Sequence, residues 1–386
     1  MKKVLSVALS AILIASMLFA MPLGAKAEPK KSVNDASITV NATGCTFDEY
    51  EATIASVDFE IKDGDTVLTK DTDYSVTYDK YNLTIDKNGD TSIHYYIDGI
   101  GNYTGEAEGD YKAKAPVTGK AGEEAKWSYD SDAKMLNISG NGKFENARKG
   151  DFNTVYIEGV STVGGMWAFI YGEEYYDYPT ANNILVTGSV KTIESDAFRI
   201  RNVKNIDIQS GVKTLKAKAI TPLSKNYKYL YVPKSVTKIG KQAVGYRCVE
   251  SIYEEDASYK YKKVKNFIIL GESGSAAQKY AKKNKIDFVA LKPSNLSKVT
   301  AGKKSFKAKW SKADNGNGYE ICYSTSEHFV KANSKNVLIN SASTTAKTFK
   351  KLKSGKKYYV RVRSFKKIGK KKYYSCWSKA KAVKVK

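Results

Sequence analysis

Ile184-Leu-Val186-Thr-Gly-Ser-Val190-Lys-Thr-Ile193-Glu-Ser-Asp-Ala197-Phe198 is the first of three copies of one pattern within residues 183–244. The second copy places Ile206, Ile208, Val212, Leu215, Ala219 and Ile220 in the same frame, and the third places Leu230, Val232, Val236, Ile239, Ala243 and Val244. The copies are 22 and then 24 residues apart, a period that marks stacked-coil architectures. Each apolar-x-apolar pair reads as a short strand whose two inward residues face a core. The Val and Ile that follow turn the chain back over that core, and the Ala-apolar pair closes the coil where only a small residue fits. One coil cannot bury its own face, so neighbouring coils must stack to share a core.

The frame resembles the bacterial surface leucine-rich repeats of the BspA type, whose core reads V-xx-I-xxx-A-F. Val190, Ile193, Ala197 and Phe198 fit it fully, while Ile220 and Val244 replace the Phe in the later copies. The resemblance spans residues 116–291. Trp127, Tyr129, Leu136 and Ile138-Ser-Gly match the hairpin that opens such domains, and Gly274 to Ile286 matches their closing helix. Val155, Ile157, Val160, Val163, Trp167 and Phe169 read as a degenerate first coil, as terminal coils tend to be. Two insertions interrupt the coils. One carries Tyr171, Tyr175, Tyr176 and Tyr178, and the other, Tyr253 to Tyr261, carries Glu254, Glu255, Asp256 and three tyrosines. Insertions map to one face of a solenoid, often the binding face, but loops tolerate them without any function as well. Members of the family are secreted or surface-displayed and bind host proteins or other cells, so the resemblance implies a recognition role.

Residues 1–27 read as a secretion signal. Lys2 and Lys3 precede an apolar run from Val4 to Ala20, and Ala25-Lys-Ala27 offers a cleavage site. An uncleaved membrane anchor is the alternative, since the run is just long enough to span. No later stretch has that length, and no wall-sorting tail or lipid-attachment cysteine is recognised. The expectation is a secreted protein, extracellular or loosely held at the cell surface, without stable membrane insertion once the signal is removed.

Residues 32–115 read as a small β domain. Val57-Asp-Phe59-Glu-Ile61 and Tyr74-Ser-Val76-Thr-Tyr78 alternate as half-buried strands do. Leu68 to Tyr74 and Gly99-Ile-Gly101-Asn102-Tyr103-Thr104-Gly105 resemble a bacterial Ig-like surface repeat, with Asp71 standing where that family usually has Gly. Asp86-Lys-Asn88-Gly-Asp90 spaces oxygens as a calcium loop does. The Gly and Glu of an EF-hand are misplaced, however, so a turn is the expected reading.

Residues 292–386 alternate apolar and basic residues, as in Phe306-Lys-Ala308-Lys-Trp310. Trp310, Gly318-Tyr319-Glu-Ile321-Cys-Tyr323, Leu352 with Gly355 and Tyr359-Val360-Arg361-Val362-Arg363, and Trp377-Ser378 together resemble a fibronectin type III domain. That implies a β-sandwich used for spacing or binding. The fold class expected for the whole chain is therefore mainly β: an Ig-like domain, a leucine-rich-repeat solenoid with a closing helix, and a fibronectin type III sandwich. Linkers near Pro116 and Pro293 are expected to be open to proteases.

Charge is concentrated at the C-terminal end. Residues 292–386 hold 26 Lys and Arg against 3 acidic residues, close to the whole chain's +24, whereas residues 32–115 hold 17 acidic residues against 6 Lys. Two clusters stand out: Lys350, Lys351, Lys353, Lys356 and Lys357, then Lys366, Lys367, Lys370, Lys371 and Lys372. They are expected in loops at opposite ends of one sheet. Such charge draws polyanions by counterion release, yet lysines are also what a soluble sandwich surface needs. Both readings stand. Nucleic acid is not expected as a partner, because no recognition helix or stacking motif accompanies the lysines.

Cys45, Cys248, Cys322 and Cys376 are scattered, and the two that share a domain sit on strands too far apart to bridge. Free thiols are expected, which would suit an anaerobic habitat. Catalytic signatures are missing: His94 and His328 lie in different domains, and no nucleophile elbow, metal-binding helix or phosphate loop occurs. No catalytic, metal or cofactor-binding residue is assigned. The sequence thus points to a non-enzymatic adhesin-like protein that recognises a host or cell-surface protein or glycan through the solenoid, with a basic sandwich for anionic polymers. A wall- or glycan-acting enzyme and a structural spacer are the rivals.

Overall fold

The computed structural model describes residues 29–386 apart from 51, 80–82, 87, 148–150, 165–168, 172–174, 178–179 and 250–259. The signal read at residues 1–27 lies outside the described residues. The described residues form two compact units, one of the residues up to Thr39 with Ile61–Val76 and Tyr96–Ala107, the other of Val40–Glu60, Thr77–Tyr95 and Glu108–Lys386. The segment read as one domain over 32–115 is thus shared between them.

In the first unit Lys31–Ser32 pairs in parallel with Tyr103–Thr104. Asp63 anchors that pairing. Its carboxylate accepts from Lys31 Nζ, Ser37 Oγ and Tyr103 OH, and the Lys31 contact lowers its pKa. Asp71 has φ 63°, a left-handed conformation that Asp tolerates better than most side chains. This is why it can stand where a glycine was expected. In the second unit Ile54, Val57, Ile93 and Ala113 form a small core. Asp86 Oδ1 accepts the backbone N–H groups of Asn88 and Asp90, each at 2.8 Å, closing a turn of the expected kind.

The repeated pattern folds as a stack of coils with two parallel ladders. The longer strands Met135–Gly140, Asp151–Ile157, Thr180–Val186 and Asn205–Ile208 lie side by side in register, so that Leu136, Val155, Ile184 and Ile206 form one inward row. The second ladder is made of two-residue strands and aligns Phe144, Val163, Ile193, Leu215 and Ile239. Of the 18 pattern residues in the three copies, every one is buried except Ile239, which packs partly buried against the same core. Just before each pattern Ala the chain is left-handed, at Asp196, Lys218 and Gln242 with φ of 57°, 58° and 55°. The opening hairpin pairs Trp127 with Ile138 and Tyr129 with Leu136. In the degenerate coil Val155, Ile157, Val160 and Val163 are buried. Trp167 lies outside the described residues, as does the side chain of Phe169.

After the three regular coils a fourth follows that the pattern did not reveal. Strand Ile268–Gly271 pairs with Tyr229–Tyr231 and then with Asp287–Ala290. Gly271 extends its inward row, where earlier coils carry Val or Ile, because a Cβ there would come 3.3 Å from Ala277 Cβ of the closing helix and 3.0 Å from the Val232 carbonyl. That helix is Ala276–Asn284. Ser275 caps it by accepting the Gln278 N–H, and Lys285 ends it in a left-handed conformation. Tyr280 fixes it to the third coil: its hydroxyl accepts from Val244 N–H and donates to the Val244 carbonyl.

The C-terminal part is a sandwich of two antiparallel sheets. One holds Leu296–Gly302, Ser305–Trp310 and Ala346–Lys350, and the other Ser334–Ile339, Gly318–Ser324, Lys357–Ile368, Lys371–Tyr374 and Lys381–Lys384. Phe306, Trp310, Tyr319, Ile321, Val360 and Val362 fill its core. Trp377 and Ser378 precede the last strand. They lie in the break between Lys371–Tyr374 and Lys381–Lys384, both of which pair with Lys357–Ile368. No disulfide links the four cysteines.

The sandwich is docked on the coil stack. Outward residues of the long ladder run Tyr156, Leu185 and Asp207 in register, and Tyr231, Leu270 and Val289 carry the row on. Leu185 packs with Cys322, Phe329 and Trp377, and Tyr231 and Leu270 pack with Leu291 and Cys376. Asp207 apart, this outward row is apolar like the inward one, as in parallel strands covered on both sides. The connection is equally tied down: Leu291 N–H bonds the Gly271 carbonyl, Lys292 N–H the Asp314 carbonyl, and Ser364 Oγ the Lys292 carbonyl. Pro293 therefore sits in a braced joint, where the sequence suggested an open linker.

Candidate functional site

The tyrosine-bearing insertions contribute little described geometry. Phe169–Tyr171 and Tyr175–Asp177 pair as a hairpin with Tyr171 opposite Tyr175 and Ile170 opposite Tyr176. The side chains of Tyr171, Tyr175 and Tyr176, and the whole of Tyr178, lie outside the described residues. So do Tyr253, Glu254, Glu255 and Asp256 of the second insertion. Its last tyrosine, Tyr261, is structural. Its hydroxyl donates to Asp196 at 2.6 Å and accepts from Arg199 at 2.8 Å, tying a hairpin to the first regular coil.

The first lysine cluster is part of a larger one. Ser305, beside Lys303 and Lys304, pairs with Lys350, and Leu352 N–H bonds the Lys304 carbonyl. Lys304 N–H in turn bonds the carbonyl of Lys386, and Lys357 pairs with Lys384. One pole of the sandwich thus gathers Lys303, Lys304, Lys350, Lys351, Lys353, Lys356, Lys357, Lys384 and Lys386, all exposed. The three acidic residues of the domain are engaged elsewhere: Asp314 with Lys292, Glu320 with Arg363, Glu327 beside His328. Among the described residues none of the nine lysines has a carboxylate within ion-pair distance. Lys303, Lys304, Lys384 and Lys386 escaped the sequence reading because they come from a distant turn and from the last strand. The strand alternation that brings those termini together was the available signal. A cavity of about 450 Å³ opens beside this pole between Tyr323, Ser334, Lys335, Lys353, Lys356 and Tyr358.

The second cluster lies at the other end of Lys357–Ile368, as expected, but it is mostly strand and not loop. Lys367 pairs with Lys372 and Ile368 with Lys371, leaving only Lys370 in the turn beside Gly369. A hairpin this short lets both strands run on through the lysines. Lys366 and Lys372 are half-buried, with the Lys372 ammonium 5.5 Å from the Phe365 ring centre. Lys367 opposite Lys372 also sets like charges face to face, which is unfavourable across a strand pair.

At the junction a polar cluster faces the coil stack. Alternation along Lys357–Ile368 turns Arg361 and Arg363 away from the sandwich core, opposite Cys322 and Glu320. Trp377 lies between their guanidinium groups, 4.4 Å from Arg361 and 4.2 Å from Arg363. Arg361 also lies 4.0 Å over Phe329, and Arg363 4.0 Å over Tyr374. Glu320 accepts from Arg363 at 2.6 Å. From the coil stack Asp207 accepts the Trp377 N–H at 3.3 Å. Burial pushes the Asp207 carboxyl up to about 6, against the pull of Arg363, Arg361 and that N–H. Burial also raises Tyr156 to about 12 and lowers the pKa of Arg361. Asp207 holds the outward position that Leu185 and Tyr231 occupy in neighbouring coils, so its charge was visible in the sequence as the odd member of an apolar row.

Among the described residues no cluster of three or more His, Cys, Asp and Glu could hold a metal ion, and no helix is long and apolar enough to cross a membrane. A family model for the fibronectin type III domain matches residues 291–380. No curated protein matches the chain.

Proposed function

We propose that this chain is an exported, non-catalytic binding protein in which BspA-type leucine-rich coils brace a fibronectin type III domain that holds anionic polymers. Domains of this type commonly bind or space in extracellular proteins. The carrying observation is the pole of nine exposed lysines drawn from three segments, with no Asp or Glu within ion-pair distance among the described residues. Like charges gathered without counter-charges raise the local potential and favour release of counterions from a polyanion. Anionic wall polymer and sulfated or sialylated glycan suit an exported protein better than nucleic acid. The sandwich covers the outward row of the long ladder, so host-protein or glycan recognition by the coils falls to their other surfaces. Those include the insertions with Tyr171, Tyr175, Tyr176 and Tyr178. The Ig-like segment serves as a spacer.

Titration of the intact chain with heparin, teichoic acid and neutral dextran at low and moderate salt tests the reading. Saturable binding of the polyanions that weakens steeply with salt, without turnover of the polymer, supports it. Binding that ignores both charge and salt, or cleavage of the polymer, overturns it.

A further inference from the structure

A cleft of about 500 Å³ runs along the junction between the coil stack and the sandwich, lined from both sides. That volume is in the range of small-molecule sites. It lies apart from the lysine pole, and three features of it point to a ligand. First, Arg361 lines it without a carboxylate partner among the described residues, and its Nε is buried with no acceptor. Arg363, by contrast, is already matched by Glu320. An enclosed guanidinium with an unspent donor is costly unless an acceptor arrives.

Second, the coil side presents an amide ladder. Asn205 Nδ2 donates to Asn183 Oδ1 at 2.9 Å, and Asn183 Nδ2 donates to the Asn153 carbonyl at 3.1 Å. This direction of donation leaves the Asn205 carbonyl oxygen as an open acceptor on the same cleft, across from Asn336 of the sandwich. Third, Tyr156, Phe329 and Trp377 supply apolar walls. Unspent donors and acceptors beside aromatic walls suit hydroxyl groups on an apolar ring, since a hydroxyl both donates and accepts. Arg361 feels Asp207 only at longer range and has no Asp or Glu within ion-pair distance among the described residues, so it suits one carboxylate, which it can grip with two parallel bonds.

From this arrangement we infer that the junction cleft binds a carboxylated pyranose, a hexuronate or a sialate, with its carboxylate on Arg361 and its hydroxyls on Asn205 and Asn336. The site is separate from the lysine pole, so either can fail alone.

The test uses the full chain with glucuronate, N-acetylneuraminate and, as the uncharged counterpart, glucose. Binding is read by saturation-transfer NMR and by Trp fluorescence. At least one acid sugar should bind, at least about tenfold more tightly than glucose, and the stronger of the two identifies the ring. Arg361→Gln should abolish the preference for the acid. Because Arg361 also packs against two rings, a second variant guards against loosened docking. Asn336→Trp sits at an exposed edge, should leave the fold unchanged, and should weaken binding at least about tenfold by filling the cleft. Failure of both acids to bind at about 10 mM, equal binding of glucose, or full affinity in a folded Asn336→Trp variant overturns the assignment.

Discussion

Ile193 and Glu194 are neighbours in the chain and opposites in the fold. Ile193 is fully buried in the short ladder between Val163 and Leu215, whereas Glu194 reaches outward to Lys216 at 3.3 Å. Ile193→Ala should cost about 2–5 kcal/mol, the range for a buried large-to-small change. Glu194→Ala should cost under about 1 kcal/mol, because a partly exposed ion pair contributes little. Urea unfolding of the two variants checks the register, and equal costs would contradict it. Asp207 tests a different force. Its carboxyl is raised from 3.8 to about 6 by burial, so the folded chain holds the proton more tightly than the unfolded chain does. The contribution of this group to stability is then fully present below about pH 4, is lost as pH rises through about 6, and stays lost above that. Asp207→Asn removes the titration. The stability of the variant relative to wild type should therefore rise between pH 4 and pH 7, and a flat difference across that window would mean that Asp207 ionises freely in the folded chain.

At the scale of elements, the repeat was legible because its inward residues recur in a fixed frame, and burial of Ile184, Ile208, Val212 and Ala219 follows that frame. The closing helix was legible only through the resemblance of Gly274 to Ile286, and the structure adds Ser275 as its cap and Ala277, Tyr280 and Ala281 as its buried face. The fourth coil was not, since Gly271 breaks the apolar-x-apolar frame to admit the helix. The docking of the sandwich was hidden for a subtler reason. Leu185, Tyr231 and Leu270 occupy the x positions, which a repeat frame ignores, yet their apolar character marks a second buried face. Limited proteolysis with product mapping follows from this. The intact chain should resist cleavage across residues 291–294, where backbone and side chains are bonded into both modules. Leu185→Lys places a charge in the joint without touching the coil core. It should open a cut near Pro293 while the coil stack stays folded, and an unchanged digest would argue that the joint contributes no stability.

For the whole molecule, the charge imbalance was plain in the sequence, but which lysines act together was not, because proximity across the sandwich depends on strand pairing. The chain treats its two lysine-rich ends differently. One end combines Lys350, Lys351, Lys353, Lys356 and Lys357 with Lys303, Lys304, Lys384 and Lys386, all exposed. The hairpin end commits part of Lys366 and Lys372 to packing. A flexible polyanion gains most where many ammonium groups are free to reach it, so the first end should dominate binding. Reversing Lys303, Lys304, Lys384 and Lys386 to Glu should therefore weaken heparin or teichoic acid binding more than reversing Lys366, Lys367, Lys370 and Lys371. Changing the same four to Arg should be tolerated, since point charge matters here more than shape. With about six contacts in the wild type, affinity should fall roughly a thousandfold between about 50 and 200 mM salt, and the slope should shallow in the reversed variant. Equal losses from the two ends would place the polymer along the whole sandwich. No loss from the pole would leave those lysines as a solubilising surface and shift recognition to the coil stack.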